Sequence, residues 1–515
     1  MCGIFGFISK EELTQQELSK ISTICSSLTH RGKSCYGLYT NTSQMQYQKT
    51  FDKLDFNAKH SNEVFFHALH AINDEVPQPL LNNGNNSDFS LVFNGELYNM
   101  DELNKSLNTD FENDTQLLQN YLDSFSTKEL LEKTVEIFEK LNGDYACVYK
   151  RDQYYFISRD ILGIKPLWYY EDYNTFILCS ENKTQISDSF AALEEVNPKE
   201  ILIFNIQDFS IQKKKRTFFS LQEELKEPLE ILEENTWKLL VESVKKRIPK
   251  DTTKKIGLLF SGGIDSTVLA LILKQLNIEF TCYTAKLNSK VLEEAEDVIY
   301  ATNIAKKYDL DLKINEIQIE DLEKLTKEVI SIINETDYIK VSVALPFLAA
   351  CRLAKEDNID IMFSGLGSEE IFAGYRRHKQ AENINQECVE GLNILHIRDL
   401  YRDDVITMSC TQELRVPFLD NDLIKYTLNI PPKFKLDVKK AAEIKDEVYK
   451  KPYLNALIES KIILRNCAKK FLNLEEEFAN RQKKAAQYGS KFDKGLLRLA
   501  KDKGVGKQEY LDSLV

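Results

Sequence analysis

Along residues 1–205 the apolar positions come in short blocks separated by clusters of Gly, Asn and Asp. The blocks are Ile4 to Ile8, Val64 to Phe66, Leu91 to Phe93, Tyr145 to Tyr149, Tyr154 to Ile157, Trp168 to Tyr170, Phe176 to Cys179 and Ile201 to Phe204. Apolar runs of this length between turn-forming residues predict strands. Helical spacing interrupts them over 14–28 and 114–122. So many strands imply stacked sheets rather than a parallel α/β unit.

From about residue 231 the rhythm changes. The periodicity predicts a helix over 231–247, then strand 256–260, helix 265–276, strand 280–285, helix 293–308, strand 312–317, a helical region over 320–356 and strand 359–363. Strands alternating with long helices predict a parallel, doubly wound sheet. Beyond residue 380 the pattern is mostly helical. Residues 206–230 are charged and weakly periodic, with Lys213-Lys214-Lys215-Arg216 and Glu223-Glu224, and read as a linker. The expected domains are therefore 1–205 and 231–515, joined by 206–230.

Bulk properties narrow the partners. A chain of 515 residues exceeds a single core. The net charge of -13 argues against nucleic acid and against an anionic membrane, since both need a basic face. No apolar run approaches the roughly 20 residues that span a bilayer. Lys10, Glu11 and Glu12 break the early apolar stretch before it resembles a secretion signal. A cytoplasmic location is the expectation. Ten cysteines with no CxxC pair, and six scattered histidines, offer no structural zinc set.

The strongest local signal is Ser261-Gly262-Gly263-Ile264-Asp265-Ser266. Strand-forming Ile256 to Phe260 precedes it and helix-forming Thr267 to Leu273 follows. A glycine-rich turn between strand and helix aims free N–H groups at an anion. Ser261 and Ser266 add hydroxyl donors. An Asp belongs in an anion site when it carries a cation, so Asp265 suggests Mg²⁺. A second glycine-rich loop, Ser364-Gly365-Leu366-Gly367-Ser368-Glu369-Glu370, follows the last predicted strand. Ligands in open α/β sheets gather at the carboxyl ends of strands, so both loops can face one ligand, and Glu369 can supply a second metal oxygen. A capped, glycine-rich turn is the plainer alternative for each loop.

The first loop resembles the pyrophosphate loop of N-type ATP pyrophosphatases. Together with Phe372-Ala373-Gly374-Tyr375 and Arg415-Val416-Pro417-Phe418-Leu419-Asp420, the two loops resemble the synthetase domain of asparagine synthetases. The resemblance implies ATP and Mg²⁺ as cofactors. It places ATP on Phe260, Ser261, Gly262, Gly263, Asp265, Ser266, Ala285, Ser364 and Gly365, and the metal on Asp265 and Glu369. Lys483 is similar to the family lysine that contacts the reacting centre. Where the family carries a proton-transferring acid in the second loop, this chain has Leu366.

Cys2 is the remaining candidate. Removal of Met1 exposes an α-amine, with an ordinary pKa near 8, beside the thiol it can deprotonate. His30-Arg31-Gly32, Asn94-Gly95-Glu96, Asp114-Thr115, Arg159-Asp160 and Gly163 to Leu167 follow in the order seen in class II glutamine amidotransferases. That resemblance implies an Ntn-type α/β/β/α sandwich. It makes Cys2 the nucleophile and makes Asn94 with the Gly95 N–H an oxyanion hole. Arg31, Asn94, Gly95, Glu96 and Asp114 are the implied glutamine site, with Asp114 on the α-amino group. Where the family has an arginine for the glutamine carboxylate, this chain has Leu69; Lys33-Ser34 replaces Pro-Asp after His30-Arg31-Gly32. Phe66-His67-Ala68-Leu69-His70 and Arg402-Asp403-Asp404 look like one branch of the family, the asparagine synthetase domain-containing proteins.

The reading is a glutamine-hydrolysing, ATP-dependent ligase that amidates aspartate through β-aspartyl-AMP. Its partners are then glutamine, aspartate and ATP, and a homodimer stays open. Two alternatives remain: a ligase for another carboxylate, and a nucleotide-binding interaction protein.

Overall fold

The computed structural model describes residues 2–515 apart from 44, 59, 83–84, 183–185, 187–189, 191, 289–294, 442–457 and 482–485. The chain divides into two compact units, Met1–Phe218 with Met408–Thr411, and Phe219–Thr407 with Gln412–Val515.

The first unit holds two antiparallel sheets. One has seven strands, in spatial order Glu194–Glu195, Trp168–Glu171, Thr175–Cys179, Gly3–Ser9, Glu63–Leu69, Cys35–Thr40 and Gln46–Gln48. The other has six, in order Ser210–Lys215, Glu200–Asn205, Tyr154–Arg159, Gly143–Arg151, Asn85–Leu97 and Leu80–Asn82. Every expected strand is present. Side chains on the facing surfaces, among them Ile4, Ile8 and Phe65 of one sheet and Val92, Val148, Tyr155 and Phe204 of the other, form a single buried cluster. The helix Gln15–Ser27 covers the outer face of the first sheet through Leu18, Ile21 and Ile24. Helices Met100–Leu107, Asp114–Asp123, Thr127–Glu132 and Thr134–Glu139 contribute to the cover of the second. The result is the expected α/β/β/α sandwich. Three of those last four helices were not expected, because their apolar stripes are short.

The linker reading is corrected at its start. Ser210–Lys215 is a strand that pairs antiparallel with Glu200–Asn205 from Lys215↔Glu200 to Ser210↔Asn205. Its lysines sit on a sheet edge, where charge discourages pairing with another chain. The next element is the helix Leu229–Lys246.

The second unit is built on a five-stranded sheet, in order Leu312–Gln318, Thr281–Asn288, Ile256–Leu259, Ile361–Phe363 and Glu413–Arg415. All its pairings are parallel. The chain winds outward from the central Ile256–Leu259 to one side, then returns to Ile361–Phe363 on the other. The switch point thus lies between the two strands that carry the glycine-rich loops, where such sheets bind ligands. The edge strand Glu413–Arg415 was hidden in a stretch read as helical. Its Arg415 is buried, donating to the Arg247 carbonyl at 2.9 Å and pairing with Glu413 at 2.8 Å. Asp420 pairs with Arg247 at 3.2 Å and caps the helix Asn421–Leu428. The Arg415 to Asp420 motif is therefore a structural clamp. Among the described residues, no helix is long and apolar enough to cross a membrane.

Candidate functional site

In the second unit a cavity of about 600 Å³ opens at the switch point. Phe260, Ser261, Gly263, Asp265, Ser266, Ala285, Ser364, Gly365 and Glu369 all line it, which brings together most residues expected from sequence. Gly262 lies in the same turn with φ of +65°, and a Cβ there would meet the Ala301 nitrogen at 2.7 Å. Only glycine suits that conformation and that approach. The helix Ile264–Gln275 starts from Gly263 and directs its N-terminus at the cavity.

The two loops touch. A Cβ on Gly365 would lie 2.9 Å from Asp265 Cβ, and Ser368 Oγ donates to Asp265 Oδ1 at 2.6 Å. Asp265 and Glu369 converge on one cation, the ammonium of Lys461. It lies 2.6 Å from Asp265 Oδ1, 3.1 Å from Ser368 Oγ and in direct contact with Glu369 Oε1. Lys461 is 2% exposed. Two carboxylates that share one buried cation in this way also fit, by their chemistry, a hard divalent cation that takes phosphate oxygens as further ligands. Among the described residues no set of three or more His, Cys, Asp and Glu could hold a metal alone. Lys461 was not singled out in the sequence, because a lysine ahead of a helix carries no local signature.

Arg481 has no role in the sequence reading. It pairs with Asp297, donates to the Ser261 carbonyl at 2.6 Å and stacks 4.2 Å from the Tyr300 ring. It ties the segment before residue 482 to the glycine-rich turn at 261–266. Lys483 itself lies outside the described residues. On the cavity wall, Tyr375 carries the guanidinium groups of Arg377 and Arg398, 4.3 and 5.2 Å from its ring centre. Both pair with the buried Glu370. Burial pushes the Glu370 carboxyl up, against the pull of Arg398. Leu366 lines the same cavity.

In the first unit, Cys2 immediately precedes the strand Gly3–Ser9 and packs together with Leu69 and Cys35. Its backbone nitrogen donates to Asn94 Oδ1 at 2.7 Å. Asn94 is fully buried, and its Nδ2 has no hydrogen-bond partner among the described residues. An unsatisfied amide donor beside a thiol is what an oxyanion hole requires. Gly95 is needed by its neighbours: a Cβ would meet the Asp144 carbonyl oxygen at 2.2 Å. Arg31 is fully buried, donating to the Cys2 carbonyl at 3.0 Å and pairing with Glu181 at 2.8 Å. That geometry positions Cys2. Glu96 accepts from Asn73 at 2.9 Å. Asp114 accepts from the Leu97 N–H at 3.3 Å, and burial with the nearby Glu96 charge pushes its carboxyl up to about 7. His67 is buried, bonds the Phe93 carbonyl at 3.1 Å, and is held neutral by burial with a pKa of about 3. It is a core histidine. Arg159 and Asp160 bind the backbone of the 163–165 loop, Arg159 on the Gly163 and Lys165 carbonyls and Asp160 on the Ile164 and Lys165 N–H groups.

Comparison with known proteins follows the same division. Residues 1–235 match the family model described as glutamine amidotransferase domain, and residues 236–389 and 380–513 match the one described as asparagine synthase. The class is thus an amidotransferase unit joined to a synthetase unit. The chain is 30% identical over 559 residues to putative asparagine synthetase [glutamine-hydrolyzing] 1 of Methanocaldococcus jannaschii, covering 100% of this chain and 98% of that one. It is 25% identical to asparagine synthetase [glutamine-hydrolyzing] 1 of Lotus japonicus, over 88% of this chain and 75% of that one. It is 27% identical to asparagine synthetase [glutamine-hydrolyzing] of Rattus norvegicus, over 67% of this chain and 65% of that one. The chain belongs to the asparagine synthetase family.

Proposed function

We propose that the chain is a glutamine-hydrolysing ligase that amidates a carboxylate, aspartate in the first instance, at the expense of ATP. The observation that carries this reading is the convergence of Asp265 and Glu369 on one cation between two glycine-rich loops. A triphosphate laid on the Ser261 to Ser266 turn meets backbone N–H groups, a helix N-terminus and two serine hydroxyls. Asp265 and Glu369 would hold Mg²⁺, which supplies charge neutralisation for the phosphates when bound. Lys461 then faces the same phosphates. The acceptor carboxylate attacks the α-phosphorus, pyrophosphate leaves, and the acyl-adenylate forms. Adenylation turns a poor leaving oxygen into a good one.

The amidotransferase half starts at Cys2. Its thiolate attacks the glutamine side-chain amide, with the oxyanion received by Asn94 Nδ2 and the Gly95 N–H. Asp114 and Glu96 favour the substrate's ammonium. Ammonia leaves and water clears the thioester. Ammonia then displaces AMP at the second unit.

Leu69 beside Cys2 and Leu366 on the cavity wall favour one second reading, a ligase whose amide donor or acceptor differs from glutamine or aspartate. Pyrophosphate release tests both: the wild-type chain with ATP, aspartate and either glutamine or ammonium should release it, and Cys2→Ala should lose only the glutamine-dependent amide. Release with another carboxylate but not aspartate moves the assignment to the second reading. Absence of release with every acceptor overturns the ligase account.

A further inference from the structure

Amide formation needs a proton acceptor beside the acyl carbon, because ammonia that has added there carries one proton too many. Among the described residues six acids line the cavity: Asp265, Asp297, Asp337, Glu369, Asp399 and Asp403. Asp265 and Glu369 hold Lys461, and Asp297 holds Arg481. Asp337 caps the helix Tyr338–Glu356 by accepting the Lys340 N–H at 2.9 Å. Asp399 gives one oxygen to Arg402 at 2.9 Å and the other to Arg398 at 2.6 Å.

Asp403 is placed differently. Its two contacts, from Arg402 Nε and Nη2 at 2.7 Å each, both fall on Oδ1. Oδ2 has no hydrogen-bond partner among the described residues, and the residue is 1% exposed. A π-helical turn, His396–Leu400, leads into the helix Tyr401–Ser409 that carries it. Asp399, Arg402 and Asp403 are three and four positions apart, hence on one face. Such wide turns recur at functional sites.

We infer that Asp403 is the general base of the amide-forming step, accepting on Oδ2 a proton from the nitrogen that adds to the acyl-adenylate. The inference rests on the ligase reading above. The nitrogen lone pair forms the C–N bond as the carbonyl π pair moves to oxygen. One N–H proton passes to Asp403 Oδ2. The oxygen pair then returns, the C–O bond to AMP breaks, and AMP leaves with its electrons. The proton later passes to solvent. Arg402 keeps its contact with Asp399 Oδ1 throughout, so neutralising Asp403 does not strand a buried cation. Burial pushes the Asp403 carboxyl up, against Arg402 and together with Asp399 and Asp404, to about 6. A base of that strength is mostly ionised at neutral pH and still gives its proton back. Leu366, on the same cavity wall, can do neither.

The test is Asp403→Asn in the full chain, which keeps a carbonyl oxygen for Arg402 and nearly the same shape. Exchange of labelled pyrophosphate into ATP with the acceptor reports adenylation and also reports folding. Amide made from ammonium reports the second step. The expected result is exchange within about twofold of wild type, amide formation reduced by about 10²–10³, and acyl-adenylate accumulating on the protein. Formate added to Asp403→Ala should restore part of the amide rate. Amide at the wild-type rate in Asp403→Asn overturns the assignment. So does equal loss of exchange and amide, which marks Asp403 as a support for Arg402. A wild-type chain with no exchange for any acceptor sinks the ligase reading and this assignment together; an active wild type with an unchanged variant sinks the assignment alone.

Discussion

Lys461 and Asp265, far apart in sequence, are joined by a 2.6 Å contact between ammonium and carboxylate. Lys461 holds this position with φ of +59°, a conformation uncommon outside glycine and asparagine. The same ammonium touches Glu369, so one buried charge keeps two acids together.

Removing that charge should therefore leave two carboxylates facing each other without a counter-ion. Lys461→Met is expected to bind Mn²⁺ without nucleotide at least about tenfold more tightly than the wild type, by electron paramagnetic resonance titration. Its pyrophosphate exchange should fall by about 10²–10³, because a donor to the phosphates is lost. Equal Mn²⁺ affinity in the two proteins would show that Lys461 does not occupy the metal's place.

At the other unit, Asn94 and Cys2 give separable outcomes. Cys2→Ala should lower glutamine-dependent turnover on the order of 10⁴-fold while ammonium-dependent turnover stays. Asn94→Ala should cost about 10²–10³ in kcat for glutamine, the range for one oxyanion donor. Steady-state kinetics with the two nitrogen donors check both.

The Asp114 carboxyl sits near 7 in the free protein instead of its ordinary 3.8. Its neutral form is favoured, so the ionised form that attracts an ammonium is lost as pH falls through about 7. KM for glutamine should then rise by about tenfold for each pH unit below that value, with kcat less affected. Asp114→Asn should show a high, pH-independent KM. A flat KM profile in the wild type would remove Asp114 from the glutamine site.

Much of this was legible in the chain. The eight apolar blocks of residues 1–205 are eight strands, since two-sided burial between sheet and helix layers leaves near-continuous apolar runs. Ser261 to Ser266 and Ser364 to Glu369 were readable because glycines and acids at a strand end have few alternative uses. Strands Cys35–Thr40 and Glu413–Arg415 were not readable: the first mixes Gly and Tyr, and the second is three residues long. Lys461, Arg481 and Asp403 were given no role for another reason. Their function comes from partners 92 to 220 positions away or from an unpaired oxygen, which no local pattern encodes; Lys461 reaches Glu369 across 92 positions and Arg481 reaches Ser261 across 220.

Stability has its own test in Arg247 and Asp420, a pair that is 1% and 2% exposed. Breaking a buried ion pair strands the remaining charge. Asp420→Ala should lose about 3–5 kcal/mol in urea unfolding, since it also removes a helix cap. A loss under about 1 kcal/mol would mean the clamp is dispensable.

The central claim is that the loops at 261–266 and 364–369 hold ATP for attack at its α-phosphorus. Exchange of labelled pyrophosphate into ATP, run on the wild-type chain with Mg²⁺ and aspartate, tests it most directly. The account predicts label in ATP that depends on both aspartate and Mg²⁺ and that vanishes in Asp265→Asn. No label with aspartate or any other carboxylate, in a protein that also fails to bind ATP by calorimetry, would contradict it.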